Sequence, residues 1–177
     1  MTLPVINAYA YNARRQLAGQ GESISQPGWY TWALGYGYDR NGHLASHFYP
    51  GGLTVDYAPN ALGQATKAGT FASNATYHPN GALKQFTYGN GIVHTTTQNA
   101  RGLPEQLLDQ DPGTAARVLD EALDYDPNGN VLGITDGATN RFQRGNRDMA
   151  YDGLDRVTST VSPMFGTATY GSDALDN

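Results

Sequence analysis

The chain has 177 residues and a formal charge of −5, with only 15% of its residues charged. That acidity, with no lysine-rich run, argues against nucleic acid or an anionic membrane as a partner. The absence of cysteine removes disulfides and thiolate zinc sites, and no apolar run approaches the length of a membrane span.

The 22 glycines and 12 tyrosines favour many turns and aromatic strand residues, hence an all-β chain. Met1 to Asn7 has no basic start and no long apolar core, so it does not read as a signal peptide. Residues 1–17 read as an entering strand followed by a degenerate turn, Tyr11-Asn12-Ala13-Arg14-Arg15-Gln16-Leu17. Ala18 to Tyr36 reads as an insertion that is Gly-rich and then runs Pro27-Gly28-Trp29-Tyr30-Thr31-Trp32. Both tryptophans of the chain lie here. Trp29 and Trp32 could form an aromatic platform for a sugar or a partner, since an indole offers a flat face and one donor. They could equally pack over a sheet face, the commoner fate of large aromatics.

Residues 37–110 carry the densest turn signals. Leu53-Thr54-Val55-Asp56-Tyr57 is a strand. Leu83-Lys84-Gln85-Phe86-Thr87-Tyr88 follows the turn Pro79-Asn80-Gly81, and Gly89-Asn90-Gly91 leads into the β-branched run Ile92-Val93-His94-Thr95-Thr96-Thr97. Residues 114–123 are ambiguous. Thr114 could cap a short helix, but the surrounding pattern predicts a strand over Arg117 to Tyr125. Asp136 to Asp148 reads as an exposed, mildly basic loop holding Arg141, Arg144 and Arg147.

One phrase organises all of this. Tyr125-Asp126-Pro127-Asn128-Gly129-Asn130-Val131 reads as strand, tight turn, strand: Pro127 presets the first corner, Asp126 caps the turn amides, and Gly129 supplies the left-handed residue. Tyr38-Asp39-Arg40-Asn41-Gly42-His43-Leu44 repeats it. Tyr77-His78-Pro79-Asn80-Gly81-Ala82-Leu83 does so with His in place of Asp, and Tyr151-Asp152-Gly153-Leu154-Asp155-Arg156-Val157 does so with Asp155 at the glycine position. Weaker copies begin at Tyr11, Tyr57 and Thr97, and Ser172-Asp173-Ala174-Leu175-Asp176-Asn177 starts one more. Anchors at 11, 38, 57, 77, 97, 125, 151 and 172 lie 19 to 28 residues apart. A period near 20 with insertions marks an array of about eight repeats over residues 1–177, and an array that stops in mid-turn predicts a fragment of something longer.

The repeated acids do not amount to catalytic chemistry. Asp39, Asp126, Asp152 and Asp173 sit beside turn residues, at neither EF-hand nor β-roll spacing, so turn capping explains them. His43 and His47 are four apart, but in a strand context they would be held about 13 Å apart. No phosphate loop, nucleophile elbow or Cys/His pair is present. No catalytic, metal-ligating or cofactor-binding residue is nominated, no cofactor is expected, and an enzyme is not expected.

The phrase Tyr-Asp-x-x-Gly-[Arg/Asn]-[Leu/Val] resembles the YD repeat of Rhs proteins, also seen in teneurins and in the BC components of Tc toxins. Tyr38, Asp39 and Gly42, then Tyr125, Asp126 and Gly129, then Tyr151 and Asp152 carry the match best. Tyr77, Asn80 and Gly81 carry it with His78 for Asp. The resemblance implies a curved antiparallel sheet of successive hairpins, part of a hollow β-shell around a C-terminal toxin domain. It further implies flanking Rhs repeats as partners and export as part of a larger secreted or surface protein. Two lysines, Lys67 and Lys84, cannot guard two sheet edges, so edge pairing is expected, either as edge-to-edge self-association between copies or with a flanking segment. The alternative function is a carbohydrate- or cell-surface-binding repeat module.

Overall fold

A computed structural model describes residues 5–26, 28–139 and 144–172, with the backbone alone at 24–26 and 28–30. The described residues are strands and turns, with no helix. Two compact units divide the chain, residues 1–75 and 76–177.

The first unit holds a five-stranded antiparallel sheet: β1 (Val5–Tyr11), β2 (Leu17–Gln26), β3 (Gly28–Tyr38), β4 (Leu44–Phe48) and β5 (Thr54–Asp56), paired strictly in chain order. The Gly-rich insertion expected at 18–36 is the hairpin of the two longest strands. Its glycines pair with small partners, Gly19 with Gly35 and Gly21 with Ala33, while bulkier residues alternate, Gln20 with Leu34 and Glu22 with Trp32. Period-two alternation thus gives this stretch of the hairpin one face of small residues and one of larger ones.

After β5 the ladder is interrupted. Residues 57–71 form isolated bridges, Pro59 with Ala65 and Ala68 with Ala72, in place of a strand. The amide of Gly69 donates to Asp56 O at 2.8 Å, and Lys67 Nζ lies 2.6 Å from Asp56 Oδ2.

A nine-stranded antiparallel sheet follows, again in chain order: β6 (Ala72–Tyr77), β7 (Leu83–Tyr88), β8 (Val93–Gln98), β9 (Pro104–Gln110), β10 (Arg117–Tyr125), β11 (Val131–Asp136), β12 (Arg147–Tyr151), β13 (Val157–Ser162) and β14 (Gly166–Thr169). The segment that could have been a helix is strand β10, because Leu119 to Ala122 pair with β9 and Glu121 to Tyr125 with β11. Two-sided pairing outweighs the helix propensity of its Ala, Leu and Glu residues.

Neither sheet has a conventional core. Among the described residues the buried hydrophobics are Val55 and Ala138, while Leu132, Leu154, Val161, Met164 and Phe165 are exposed. Burial of apolar surface therefore contributes little here, and backbone ladders plus side chain to turn bonds carry more of the organisation.

In a meander, successive connections alternate between the two ends of the sheet. The connections 12–16, 39–43 and 60–64 fall at one end of the first unit; 78–82, 99–103, 126–130 and 152–156 fall at one end of the second. The YD phrases that fall within the described residues lie in these rows.

Candidate functional site along the turn rows

Each connection in the rows closes in one way. A cap residue i receives the amide of residue i+3 on its carbonyl and donates its own amide to the carbonyl of residue i+4. Asp39 does so with Gly42 and His43 at 3.1 and 2.9 Å, Asn99 with Gly102 and Leu103 at 2.9 and 2.9 Å, and Asp126 with Gly129 and Asn130 at 3.2 and 3.0 Å. The cap side chain completes the turn. Asp39 Oδ1 accepts the amides of Asn41 and His43, both at 2.8 Å. Asp126 Oδ1 accepts those of Gly129 and Asn130 at 2.8 and 2.9 Å, and Asp152 Oδ1 those of Leu154 and Arg156 at 2.9 and 3.1 Å. These are Asx turns, and residue i+3 must then adopt positive φ. Gly42 has φ 91°, Gly81 86° and Gly129 99°.

A partner that sequence reasoning missed sits at i+4. Its side chain returns to the cap: Gln16 to Asn12, His43 to Asp39, Gln64 to Asn60, Asn130 to Asp126 and Arg156 to Asp152, at 2.7 to 3.1 Å. The signal was present as a polar residue directly after the left-handed position. The Tyr57 copy is also shifted from its expected anchor. Its cap is Asn60, and Gly63 at φ 80° supplies the corner.

These contacts hold the cap carboxyls below their ordinary range. Asp126 is lowered first by Asn130, and Asp152 first by Arg156. For Asp39, desolvation pushes upward, but the amides of His43 and Asn41 outweigh it. The acids are ionised turn caps.

The tyrosines that precede the caps join neighbouring turns. Tyr38 Oη donates to Leu17 O at 2.8 Å, Tyr125 Oη to Pro104 O at 2.7 Å and Tyr151 Oη to Val131 O at 2.9 Å. Each acceptor is the residue five past the previous cap. Side chains at i+2 add a second clasp. Arg14 Nη1 donates to Arg40 O at 2.7 Å, Arg101 to Pro127 O and Asp126 O at 2.7 and 2.9 Å, Asn80 to Gln98 Oε1 at 3.1 Å and Asn128 to Asp155 Oδ1 at 2.9 Å. Shallow grooves lie between clasped turns, one of about 400 Å³ lined by Asn99, Arg101, Tyr125 and Pro127, another of about 310 Å³ lined by Asn12, Arg14, Tyr36 and Tyr38. Arg14 and Arg101 in these grooves are already engaged with the neighbouring turns.

The remaining nominated residues fall elsewhere or nowhere special. Tyr77 ends β6, and His78 Nε2 lies 2.8 Å from Thr96 O instead of capping its own turn. There Asn80 Oδ1 takes over, accepting the amide of Ala82 at 3.1 Å. Trp32 is half-buried in β3 opposite Glu22, and the side chain of Trp29 lies outside the described residues. The turn at Asp173, Asn140 and Arg141 also lie outside the described residues. The basic loop is only partly free: Arg147 begins β12 and pairs with Glu121, and Arg144 Nη1 lies 3.8 Å from the same carboxylate.

One further polar cluster lies within the nine-stranded sheet. His94 Nδ1 is 2.5 Å from Asp109 Oδ1, and His94 Nε2 is 3.0 Å from Thr96 Oγ1. Phe86 packs on the imidazole with centroids 4.9 Å apart. Thr96 is 8% exposed, so its hydroxyl completes a cross-strand network inside the sheet. No group of three or more potential metal ligands occurs among the described residues.

No family model matches the chain, and no curated protein matches it by sequence. Solved structures do match by fold. A crystal structure of TcdB2–TccC3 aligns at TM-score 0.75 and 16% identity over 86% of this chain. A Photorhabdus luminescens Tc holotoxin pore carrying a TccC3 variant aligns at 0.73 and 16% over 84%. The fold is that of a Tc-toxin segment. This chain spans only 9% and 8% of the respective matched chains. The similarity agrees with the all-β, hairpin-by-hairpin architecture that the YD phrases imply. No helix among the described residues is long and apolar enough to cross a membrane.

Proposed function

We propose that this chain is a wall segment of an Rhs-type toxin-delivery protein: a structural array that joins flanking repeats to form part of a hollow β-shell around a C-terminal effector. The observation that carries the reading is the tyrosine latch. Tyr38, Tyr125 and Tyr151 each bond a turn to the turn before it, once in the first unit and twice in the second, a linkage suited to a repeating array. Such repeats are stable through their neighbours more than through themselves. The exposed hydrophobics and scarcity of buried ones fit a sheet whose cover comes from the rest of a larger protein. The match to toxin structures of which this length is a small part supports the same reading. In this role the segment excludes solvent and proteases by position, needs no cofactor, performs no catalysis and leaves the cell as part of a larger product.

The test is limited proteolysis of the full gene product. The terminal domain should resist protease while the array is folded and become cleavable once the array is disrupted with urea. A terminal domain cleaved as fast in the intact protein as alone, or a gene product with no repeats beyond these, would remove the encapsulating role.

A further inference from the structure

We propose that Asn41 is a spontaneous modification site: of the Asn-Gly pairs in the folded chain it is the one that loses ammonia first, leaving aspartate or isoaspartate in its turn. The inference rests on how four chemically alike dipeptides are held. It stands apart from the wall-segment reading and survives or fails separately.

Asparagine is most reactive before glycine, which has no side chain to shield its amide nitrogen. The sequence holds four such pairs: Asn41-Gly42, Asn80-Gly81, Asn90-Gly91 and Asn128-Gly129. All four asparagines are exposed and all four glycines have positive φ, so neither water access nor backbone region ranks them. Restraint does. The side chain must swing its Cγ onto the glycine nitrogen, and the bonds that hold its amide and that nitrogen must break first. Asn128 Nδ2 donates to Asp155 Oδ1 at 2.9 Å, and the Gly129 amide is held by both Asp126 O and Asp126 Oδ1, at 3.2 and 2.8 Å. Asn80 is held at both ends of its amide: Oδ1 accepts the amide of Ala82 and Nδ2 donates to Gln98 Oε1, each at 3.1 Å, with Gly81 bonded to His78 O at 2.9 Å. Asn90 is held once, by the amide of Ile92 at 3.2 Å, with Gly91 bonded to Tyr88 O at 2.9 Å. The Asn41 side chain makes no hydrogen bond among the described residues, and the Gly42 amide has a single bond, to Asp39 O at 3.1 Å.

The reaction needs only water and hydroxide. The Gly42 nitrogen gives its proton to hydroxide and bonds to Asn41 Cγ; the Cγ–Nδ2 bond breaks, and Nδ2 takes a proton from water and leaves as ammonia. Water then opens the succinimide ring. Breaking the new N–Cγ bond leaves aspartate. Breaking the original peptide bond leaves isoaspartate, whose main chain runs through the former side chain and is one carbon longer. The turn has no slack for that carbon. Asp39 Oδ1 takes the amides of Asn41 and His43, both at 2.8 Å, on either side of the altered linkage. Gln16 Nε2 donates to Gly42 O at 2.8 Å, joining this turn to the one before it. Isoaspartate at 41 therefore loosens the first sheet, whereas aspartate leaves the main chain as it was.

The experiment incubates the unaltered chain at mildly alkaline pH, folded and in urea, and follows each Asn-Gly pair by peptide mass spectrometry. Dividing each folded rate by the same pair's rate in urea removes the effect of neighbouring residues. Folding should slow Asn41 least, and Asn80 and Asn128 severalfold more. The aged folded chain should also unfold at lower urea by tryptophan emission, since both tryptophans lie in β3. Asn41→Gln, whose longer side chain closes a ring far more slowly, should abolish that loss. Protection of Asn41 as strong as that of Asn80 or Asn128 would overturn the proposal. So would a midpoint unmoved by isoaspartate at 41, or an aged Asn41→Gln chain that loses as much as the unaltered one.

Discussion

The two ends of each sheet are built differently. At one end, the connections at 12–16, 39–43, 60–64, 99–103, 126–130 and 152–156 have one length and one bonding scheme, with a side-chain cap at i and a left-handed residue at i+3. At the other, Tyr49–Leu53 and Tyr88–Ile92 keep the same length and backbone bonds, with Gly52 and Gly91 at positive φ, but have a tyrosine in place of the side-chain cap, while Asp111–Ala116 and the span from Gly137 to Asn146 differ in length and in what closes them. Asp111 caps the amide of Gly113 and takes the hydroxyl of Thr114, whereas Asp136 gathers the amides of Ala138, Arg144 and Gly145. Turns that must stack and latch to their neighbours have little freedom to vary. Connections that touch no equivalent neighbour are free to lengthen, and the insertions in the repeat period fall there.

Acid should separate the caps by chemistry, and it carries the largest expected effect because several caps respond together. Asp39, Asp126 and Asp152 have folded carboxyls held below 3.8, their ordinary value. A depressed folded value means stability that is fully present above the unfolded value and lost as pH falls through the folded one. The urea midpoint should therefore be flat above about pH 5 and fall steadily below pH 4. Asp111 and Asp136 at the opposite end contribute in the same direction. Asn12, Asn60 and Asn99 cap their turns without titrating, so Asp126→Asn should keep its turn at neutral pH and shallow the acid slope. An unchanged slope in that variant would mean that the cap carboxylate is not what acid removes.

Deleting one cap at each end sharpens the contrast. Asn99 Oδ1 accepts the amides of Arg101 and Leu103, at 2.9 and 3.2 Å, in a turn that Arg101 clasps to the next. Asn90 Oδ1 accepts one amide, that of Ile92, at 3.2 Å. Asn99→Ala should cost about 1–2 kcal/mol and Asn90→Ala no more than about 0.5 kcal/mol, from the usual worth of such bonds. Far-UV circular dichroism in urea is the suitable measurement, because both tryptophans lie in β3 and fluorescence would report on the first unit instead. Equal losses would erase the distinction between the ends.

The same contrast explains what was legible in the sequence. A turn closed by local bonds announces itself locally. Asp39 with Gly42, and Asp126 with Gly129, state their geometry within four residues, and both occur as expected. Where the deciding partner is distant, the sequence is silent. Arg147 reads as a loop residue until β10 places Glu121 beside it. The Gly-rich stretch at 18–36 reads as an insertion because the benefit of Gly19 and Gly21 appears only when Gly35 and Ala33 lie opposite. The i+4 return contact was within reach but chemically disguised, since Gln, His, Asn and Arg all perform it. The break at 57–71 had no local sign, because Tyr57 reads as well for a strand end as for the bridged segment it begins.

The smallest expected effect concerns the two repeats that lack glycine at the left-handed corner. Arg15 has φ 63° and Asp155 φ 61°, where the other capped turns use glycine. An L-residue in that conformation costs roughly 1–2 kcal/mol, and glycine there gives back about 0.5–1 kcal/mol through the greater freedom of the unfolded chain. Arg15 offers no offset, as its side chain makes no hydrogen bond or ion pair among the described residues. Asp155 does: its Oδ1 accepts from Asn128 Nδ2 and Asn130 Nδ2 at 2.9 and 2.8 Å, which ties the turn at 152–156 to the turn before it. Arg15→Gly should therefore raise the unfolding midpoint slightly, while Asp155→Gly should lower it, although both replace a strained residue with the favoured one. If both substitutions stabilise, the inter-turn bonds at Asp155 contribute less than backbone strain, and the row of turns owes its order to local geometry alone.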